Sequence, residues 1–227
     1  MKPIYEPKGK AKEYGDLAIN IYTGCPHRCF YCYAPSVLKK DRETFFSVIE
    51  PRKDIVNEVK KQIEREGITG KLIHLCFTCD PYPKGYDSSP TREIIKIIKN
   101  SGNHVQILTK NLIDRDFDLF DEHDNIGITV TGDIQKKDEE FQNISMLYKS
   151  TGRFKTWFSC EPVLNADRIK SYILNLRQID LFKIGKLNYH KSNIEWGKFG
   201  KEIEALCLKH KRNYYIKDDL RMEMDKC

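Results

Sequence analysis

Six short apolar runs, set apart by amphipathic stretches, constrain the fold of this chain more than any other feature. The runs are Leu17–Tyr22 (LAINIY), Leu72–Thr78 (LIHLCFT), His104–Thr109, Ile126–Thr131, Phe154–Cys160 and Leu181–Leu187. Each has the length and apolar content of a buried strand. The stretches between them carry helical spacing. Arg52–Glu66 places Ile55, Val59 and Ile63 on one face. Ser89-Pro90 opens a helix bearing Ile94, Ile95, Ile97 and Ile98, which Ser101-Gly102 ends. Asp114–His123 reads as a short helix, and Glu139–Tyr148 as another with Phe141, Ile144 and Tyr148 in phase. Asn165 caps a helix with Ile169, Ile173 and Leu176 inward, and Glu195–His210 is built on Phe199, Ile203 and Leu206.

Strands and helices in strict alternation imply parallel strands joined by helical crossovers. An eight-unit barrel takes about 250 residues. Six units in 227 residues predict an α/β fold, a partial (β/α)6 TIM-like barrel of parallel strands, with a doubly wound sheet as the other arrangement. No linker interrupts the pattern, so one domain over 1–227 is expected, its core at about 17–212 between an N-terminal arm (1–16) and a C-terminal tail (213–227). Ligands in either architecture collect at the carboxyl ends of the strands.

Composition narrows the class. With 40% hydrophobic and 32% charged residues the chain reads as soluble and globular. No apolar run approaches the roughly 20 residues of a membrane span. The start, MKPIYEPKGKAKEYGD, has no signal-peptide core. The cytoplasm is therefore the expected compartment. The net charge of +6 is mild, but basic residues bunch at Lys8, Lys10 and Lys12, at Lys39, Lys40 and Arg42, and at Lys209, Lys211 and Arg212. Such bunches form a solvated face or a phosphate-facing patch.

Eight cysteines in a chain of this size and compartment argue against a disulfide framework. Cys160, Cys207 and Cys227 stand alone, and Cys76 pairs with Cys79. Cys25, Cys29 and Cys32 crowd one loop, TGCPHRCFYCYA, directly after the first strand. Thiolates suit iron–sulfur clusters and zinc. Three of them leave a cubane one open iron, whereas a closed zinc site needs a fourth donor, Cys76 or Cys79. Other strand ends carry polar groups toward the same mouth: Glu161 in SCEPV, suited to a ribose or substrate hydroxyl, then Lys186 and Asn188. Tyr33, Tyr82 and Tyr86 offer either a base-stacking surface or simple packing.

The C-x3-C-x2-C spacing, with Tyr31 before the third cysteine, resembles the signature of the radical S-adenosylmethionine superfamily. T-x-D-P-Y after the second strand and ILTK after the third narrow the resemblance to its spore photoproduct lyase-like branch, over about Leu17–Leu187. That resemblance implies a [4Fe–4S] cluster on Cys25, Cys29 and Cys32, with S-adenosyl-L-methionine chelated to the fourth iron. It implies reductive cleavage of the sulfonium to a 5′-deoxyadenosyl radical, which takes hydrogen from a substrate. Tyr31, Thr78, Asp80, Lys110, Thr129 and Glu161 become cofactor contacts, Thr78 and Asp80 at the methionine ammonium and Lys110 at the carboxylate. The branch places a hydrogen-donating thiol at the position of Phe77. Strand alternation puts Cys79 on that face and Cys76 opposite, so Cys79 is the candidate donor. The expected partners are a flavodoxin- or ferredoxin-type electron donor and a nucleic acid or nucleotide-derived substrate. The alternatives are the same chemistry on a small metabolite or peptide, and a non-catalytic zinc module using Cys25, Cys29, Cys32 and Cys79.

Overall fold

In the computed structural model, which describes residues 2–226, strands and helices alternate as the periodicity predicts, and the chain divides into two compact units at the Ile126–Gly127 junction. In the first unit, β1 (Ile4–Tyr5), β2 (Leu17–Ile19), β3 (Leu72–Leu75) and β4 (His104–Thr109) lie side by side in chain order. β1 is antiparallel to β2, and β2, β3 and β4 are parallel. The connecting helices are α1 (Ala34–Val37), α2 (Arg42–Ser47), α3 (Ile55–Glu66) and α4 (Ser89–Asn100). β5 (Asn125–Thr129) runs across the junction. The second unit holds α5 (Lys137–Tyr148), β6 (Lys155–Cys160), α6 (Ala166–Asn175), β7 (Leu181–Ile184), α7 (Trp196–Lys209), β8 (Tyr214–Ile216) and α8 (Asp218–Met224). There β6, β7 and β8 are parallel neighbours.

Strand register sorts each unit into an apolar and a polar row, because successive side chains point to opposite faces. Ile19, Leu75 and Ile107 align in one row of the first unit, and Ala18, His74 and Gln106 in the next. In the second unit Cys160, Ile184 and Ile216 align, as do Ser159, Lys183 and Tyr215. The apolar rows are buried. Helices cover apolar surface as predicted: α3 buries Ile55, Val59 and Ile63, α4 buries Ile94, Ile95 and Ile98, and α6 buries Ile169 and Ile173. Asn165 caps α6 by accepting from the Arg168 amide at 3.0 Å. Cys160 and Cys207 pack as small apolar groups with no exposed surface, and Cys227 lies outside the described residues.

Several sequence expectations need correction. The segments expected as an arm and a tail contain β1, β8 and α8. β1 and β8 are two and three residues long, too short to leave a periodic signal. The second apolar run stops being strand at Leu75, because Cys76 adopts a left-handed backbone with φ 70°. In α5 it is Glu140, Asn143, Ile144 and Leu147 that are buried, while Phe141 is 68% exposed. Polar chemistry sets that rotation: the Glu140 carboxylate accepts from the Thr131 amide at 2.6 Å, the Gly132 amide at 3.1 Å and the Tyr172 hydroxyl at 2.8 Å. The α4 cap is Ser88, one residue before the predicted Ser89, and Asp114–Leu119 is a 3-10 helix that ends short of His123. Among the described residues, no helix is long and apolar enough to cross a membrane.

Leu220 of α8 has no exposed surface. Leu220→Ala is expected to lower stability by about 2–5 kcal/mol, the range for emptying a leucine site in a core. Urea denaturation measures it; a change within about 0.5 kcal/mol is the surface-residue outcome that a loose tail would give.

Candidate active site around the cysteine loop

The loop between β2 and α1 begins where the chain must pass close to backbone. A Cβ on Gly24 would lie 2.4 Å from the Phe45 carbonyl oxygen and 2.5 Å from that of Val48, so only glycine fits. The Cys25 amide then donates to the Phe45 carbonyl at 3.1 Å. Ala34, Phe45 and Phe46 form a small buried core, and Cys25 and Cys32 pack on it. Arg42, one residue after the helix cap Asp41, clamps the loop from outside. Its guanidinium donates to the carbonyls of Cys29 (2.6 Å), Phe30 (2.8 Å) and Cys32 (3.3 Å) and sits 4.8 Å from the Phe46 ring centroid. A planar fork of five N–H donors suits that task.

All three loop cysteines are half-buried free thiols. Burial pushes the Cys25 thiol up, and the Asp80 carboxylate adds to it, against the His27 amide. Burial likewise raises Cys32, opposed by the Ala34 amide and Arg42. Elsewhere among the described residues, His104, Asp121 and Asp124 bring ligand atoms within 4.8 Å of one another, and Lys99 binds both of those carboxylates, at 2.5 and 2.6 Å. A closed tetrahedral zinc site needs a fourth donor, whereas three thiols on one loop leave a cubane one open iron. Soft thiolates spread around a larger body fit a cluster.

Asp80 organises what lies beneath. Its side chain is 7% exposed. Oδ1 accepts from the Tyr82 amide (2.8 Å) and the Thr109 hydroxyl (2.5 Å), and Oδ2 from the Lys110 amide (2.9 Å), with His27 Nε2 at 3.1 Å. Burial alone would raise this carboxyl, yet His27, Thr109 and the Lys110 amide hold it below the usual carboxylate range. Three of its acceptor sites are filled by hydrogen bonds, and His27 stands beside the carboxylate as an ion-pair contact. Thr78 differs. Its amide donates to Asn20 Oδ1 at 2.9 Å, but its hydroxyl oxygen is buried and finds no hydrogen-bond partner among the described residues. An orphaned buried hydroxyl fits a polar ligand that the chain itself does not supply.

Lys110, half-buried at the end of β4, faces the loop with its ammonium 5.8 Å from the Tyr31 ring centroid. Burial lowers its pKa, but Tyr31, Cys29, Asp80 and Cys25 together raise it, so it stays a cation. Cys79 is turned toward Cys76 and accepts from the Tyr22 amide at 3.4 Å. The alternation expected to separate Cys76 from Cys79 does not operate, since β3 has already ended.

The first unit thus gathers Cys25, Cys29, Cys32, Tyr31, Thr78, Cys79, Asp80 and Lys110. Thr129 and Glu161 belong to the second unit. Thr129 is 8% exposed at the end of β5. Glu161 pairs with Lys217 at 2.7 Å across Gly185, where a Cβ would lie 2.9 Å from both side chains. Lys186 pairs with Glu223, and Asn188 donates to Asp219 at 2.6 Å. Tyr82 is buried and donates to Asp116 at 2.9 Å, a packing role, while Tyr33 and Tyr86 are exposed.

Sequence reading missed Asn20, Arg42 and Lys217. Asn20 Oδ1 receives the Phe77 amide (2.8 Å) as well as that of Thr78, and Tyr33 donates to the Phe77 carbonyl at 2.7 Å. These act on backbone far away in sequence, which no motif records.

Asp80→Asn is expected to cost about 2–4 kcal/mol near neutral pH, because it weakens three buried hydrogen bonds and the His27 contact at once. Since folding depresses the Asp80 pKa, its stabilisation is complete above the unfolded carboxylate value near 4 and is lost as pH falls through the lower folded value. The stability gap between wild type and variant should therefore narrow below about pH 4. Denaturation at several pH values checks this; a gap independent of pH would remove the ionised carboxylate from the account.

Two curated relatives resemble part of the chain. Uncharacterized protein ORF301 of Acidianus two-tailed virus is 31% identical over 155 residues, covering 61% of this chain and 49% of that protein. Uncharacterized protein MJ0683 of Methanocaldococcus jannaschii is 32% identical over 148 residues, covering 62% and 54%. The chain spans about half the length of these relatives. Among solved structures, a single-residue variant of spore photoproduct lyase matches with a TM-score of 0.68 at 13% identity, covering 93% of this chain and 78% of that one. A double variant of the same lyase, with bound AdoMet and dinucleoside spore photoproduct, matches with a TM-score of 0.65 at 14% identity and the same coverage. These likenesses show the fold, the TIM-like α/β fold of parallel strands that the alternation predicts. The family model described as the Radical SAM superfamily matches residues 19–174, more than half of the chain and all of the cysteine loop, and the chain belongs to that enzyme superfamily.

Proposed function

We propose that Cys25, Cys29 and Cys32 hold a [4Fe–4S] cluster, that S-adenosyl-L-methionine binds beside it, and that the substrate is a nucleic acid or derived from a nucleotide. The observation that carries the reading is the loop itself: three half-buried free thiols, two of them (Cys25 and Cys32) packed on a dedicated core, on a backbone clamped by Arg42. When bound, the cluster and the sulfonium supply a 5′-deoxyadenosyl radical that takes hydrogen from a substrate.

The chain's own residues divide the remaining work. Arg42 and Gly24 fix the loop path. Lys110, held cationic, offsets the negative charge of thiolates and receives the cofactor carboxylate, with Tyr31 as the wall beside it. Thr78 offers its unused hydroxyl to the methionine ammonium. Asp80 positions His27, Thr109 and the Lys110 backbone around that pocket. Within the second unit, Lys217 holds the Glu161 carboxylate in place. Cys79 stays a candidate hydrogen donor only in its protonated form. A flavodoxin- or ferredoxin-type protein supplies the electron. Free thiols throughout the described chain suit a reducing compartment such as the cytoplasm.

Support for the substrate class comes from the lyase structure carrying a dinucleoside spore photoproduct, together with the net charge of +6. We treat the chain as one catalytic domain, because the family match crosses the junction between the two units.

Anoxically reconstituted protein should hold four irons per chain and, with a reductant, convert S-adenosyl-L-methionine to methionine and 5′-deoxyadenosine. Cys25→Ala, Cys29→Ala and Cys32→Ala should each lose iron and cleavage together. Thr78→Val should keep the iron and raise the half-saturating cofactor concentration about tenfold, one lost hydrogen bond at about 1.4 kcal/mol. Colourless protein with one zinc per chain rejects the reading. DNA or RNA affinity that falls steeply with salt supports the substrate class; no binding at low salt moves it to a small metabolite or peptide.

A further inference from the structure

Of the cysteines outside the cysteine loop, two stand close together in sequence. Cys76 and Cys79 form a C-x-x-C pair at the turn after β3. Cys76, with φ 70° and its amide donating to the Ile19 carbonyl at 2.7 Å, bends the chain. The bend brings the Cys76 and Cys79 side chains into a mutual hydrogen bond. Cys79 Sγ also accepts from the Tyr22 amide at 3.4 Å. The two sulfurs are unlike. Cys76 is 5% exposed, and burial pushes its thiol well up. Burial acts on Cys79 too, but the Cys76 thiol, the amides of Tyr22 and Ile21, and Arg52 outweigh it and bring that thiol below its ordinary value. A half-buried cysteine supported as thiolate, beside a buried partner three residues away, is the arrangement that thiol–disulfide exchange requires.

We propose that Cys76 and Cys79 are a redox dithiol that exchanges with low-molecular-weight disulfides. Cys79 sulfur attacks one sulfur of the external disulfide RSSR, whose S–S bond breaks to release one thiolate. Cys76 passes its proton to that thiolate and displaces the second RS group from Cys79, and this group takes the proton that Cys79 lost. The pair loses two electrons and two protons, and RSSR becomes two RSH. The site needs no cluster. Its location gives it leverage, since Cys79 precedes Asp80, the carboxylate that touches His27 and the Lys110 amide.

The test uses the full chain, equilibrated without oxygen in buffers spanning reduced to oxidised glutathione, quenched by alkylation and digested with trypsin. The peptide 72–84 contains both sulfurs. At oxidising ratios it should lose both alkyl groups and weigh two hydrogens less, and dithiothreitol should restore it. In Cys76→Ser, Cys79 should instead carry one glutathione. Full alkylation of the wild-type peptide at the most oxidising ratio overturns the proposal, as does a crosslink from either sulfur to Cys25, Cys29 or Cys32. Iron measured on the same samples reports the cluster reading separately, so failure of one leaves the other standing.

Discussion

One buried carboxylate ties the candidate site together. Asp80 receives a hydroxyl and an amide from the end of β4, an amide from its own turn, and the imidazole of the cysteine loop. Burying a lone carboxylate costs several kcal/mol; four donors at hydrogen-bond distance offset that cost and make the geometry specific. Each donor comes from a segment that ends a strand or leaves it, so one ionised group sets the relative placement of the β3 turn, the β4 end and the loop. Three of its acceptor sites are used internally, and the neighbouring Thr78 hydroxyl is a buried polar atom without a hydrogen bond among the described residues.

The same logic of close approach recurs at glycines. Gly24 lets the loop pass against two carbonyl oxygens of α2 and the residue after it, and Gly185 leaves the gap across which Glu161 reaches Lys217. Side chains at either position would separate the groups that now meet. In both units the residues with chemistry stand at the carboxyl ends of strands, where a parallel sheet exposes ungrouped backbone and turns can aim side chains freely.

Periodicity made the major strands legible, because buried runs such as Ile126–Thr131 and Leu181–Leu187 contrast with the helices beside them. The cysteine spacing was legible for a different reason: a metal-binding loop keeps its ligands close in sequence. What escaped acts at long range. Asn20 bonds amides more than fifty residues away, and Lys217 meets Glu161 only once β8 has formed. Phe141 was misplaced because hydrophobic phase assumes that apolar residues win the buried face. In α5 the Glu140 carboxylate wins it, satisfying two amides and a hydroxyl that would otherwise be orphaned.

The cysteines show how one residue type separates by surroundings. Cys160 and Cys207 have no exposed surface and only apolar work. Cys25, Cys29 and Cys32 are half-buried on a loop whose carbonyls are already taken by Arg42, so their sulfurs are the loop's remaining donors. Cys76 and Cys79 lie between these extremes, because a left-handed bend turns a strand ending into a pair of touching thiols. A reducing environment is a common requirement of the last two groups: thiolates must be free to ligate, and a dithiol must be reduced before it can exchange. The turn that carries Cys79 also carries Asp80, so the pair stands one residue from the carboxylate that contacts His27 of the loop.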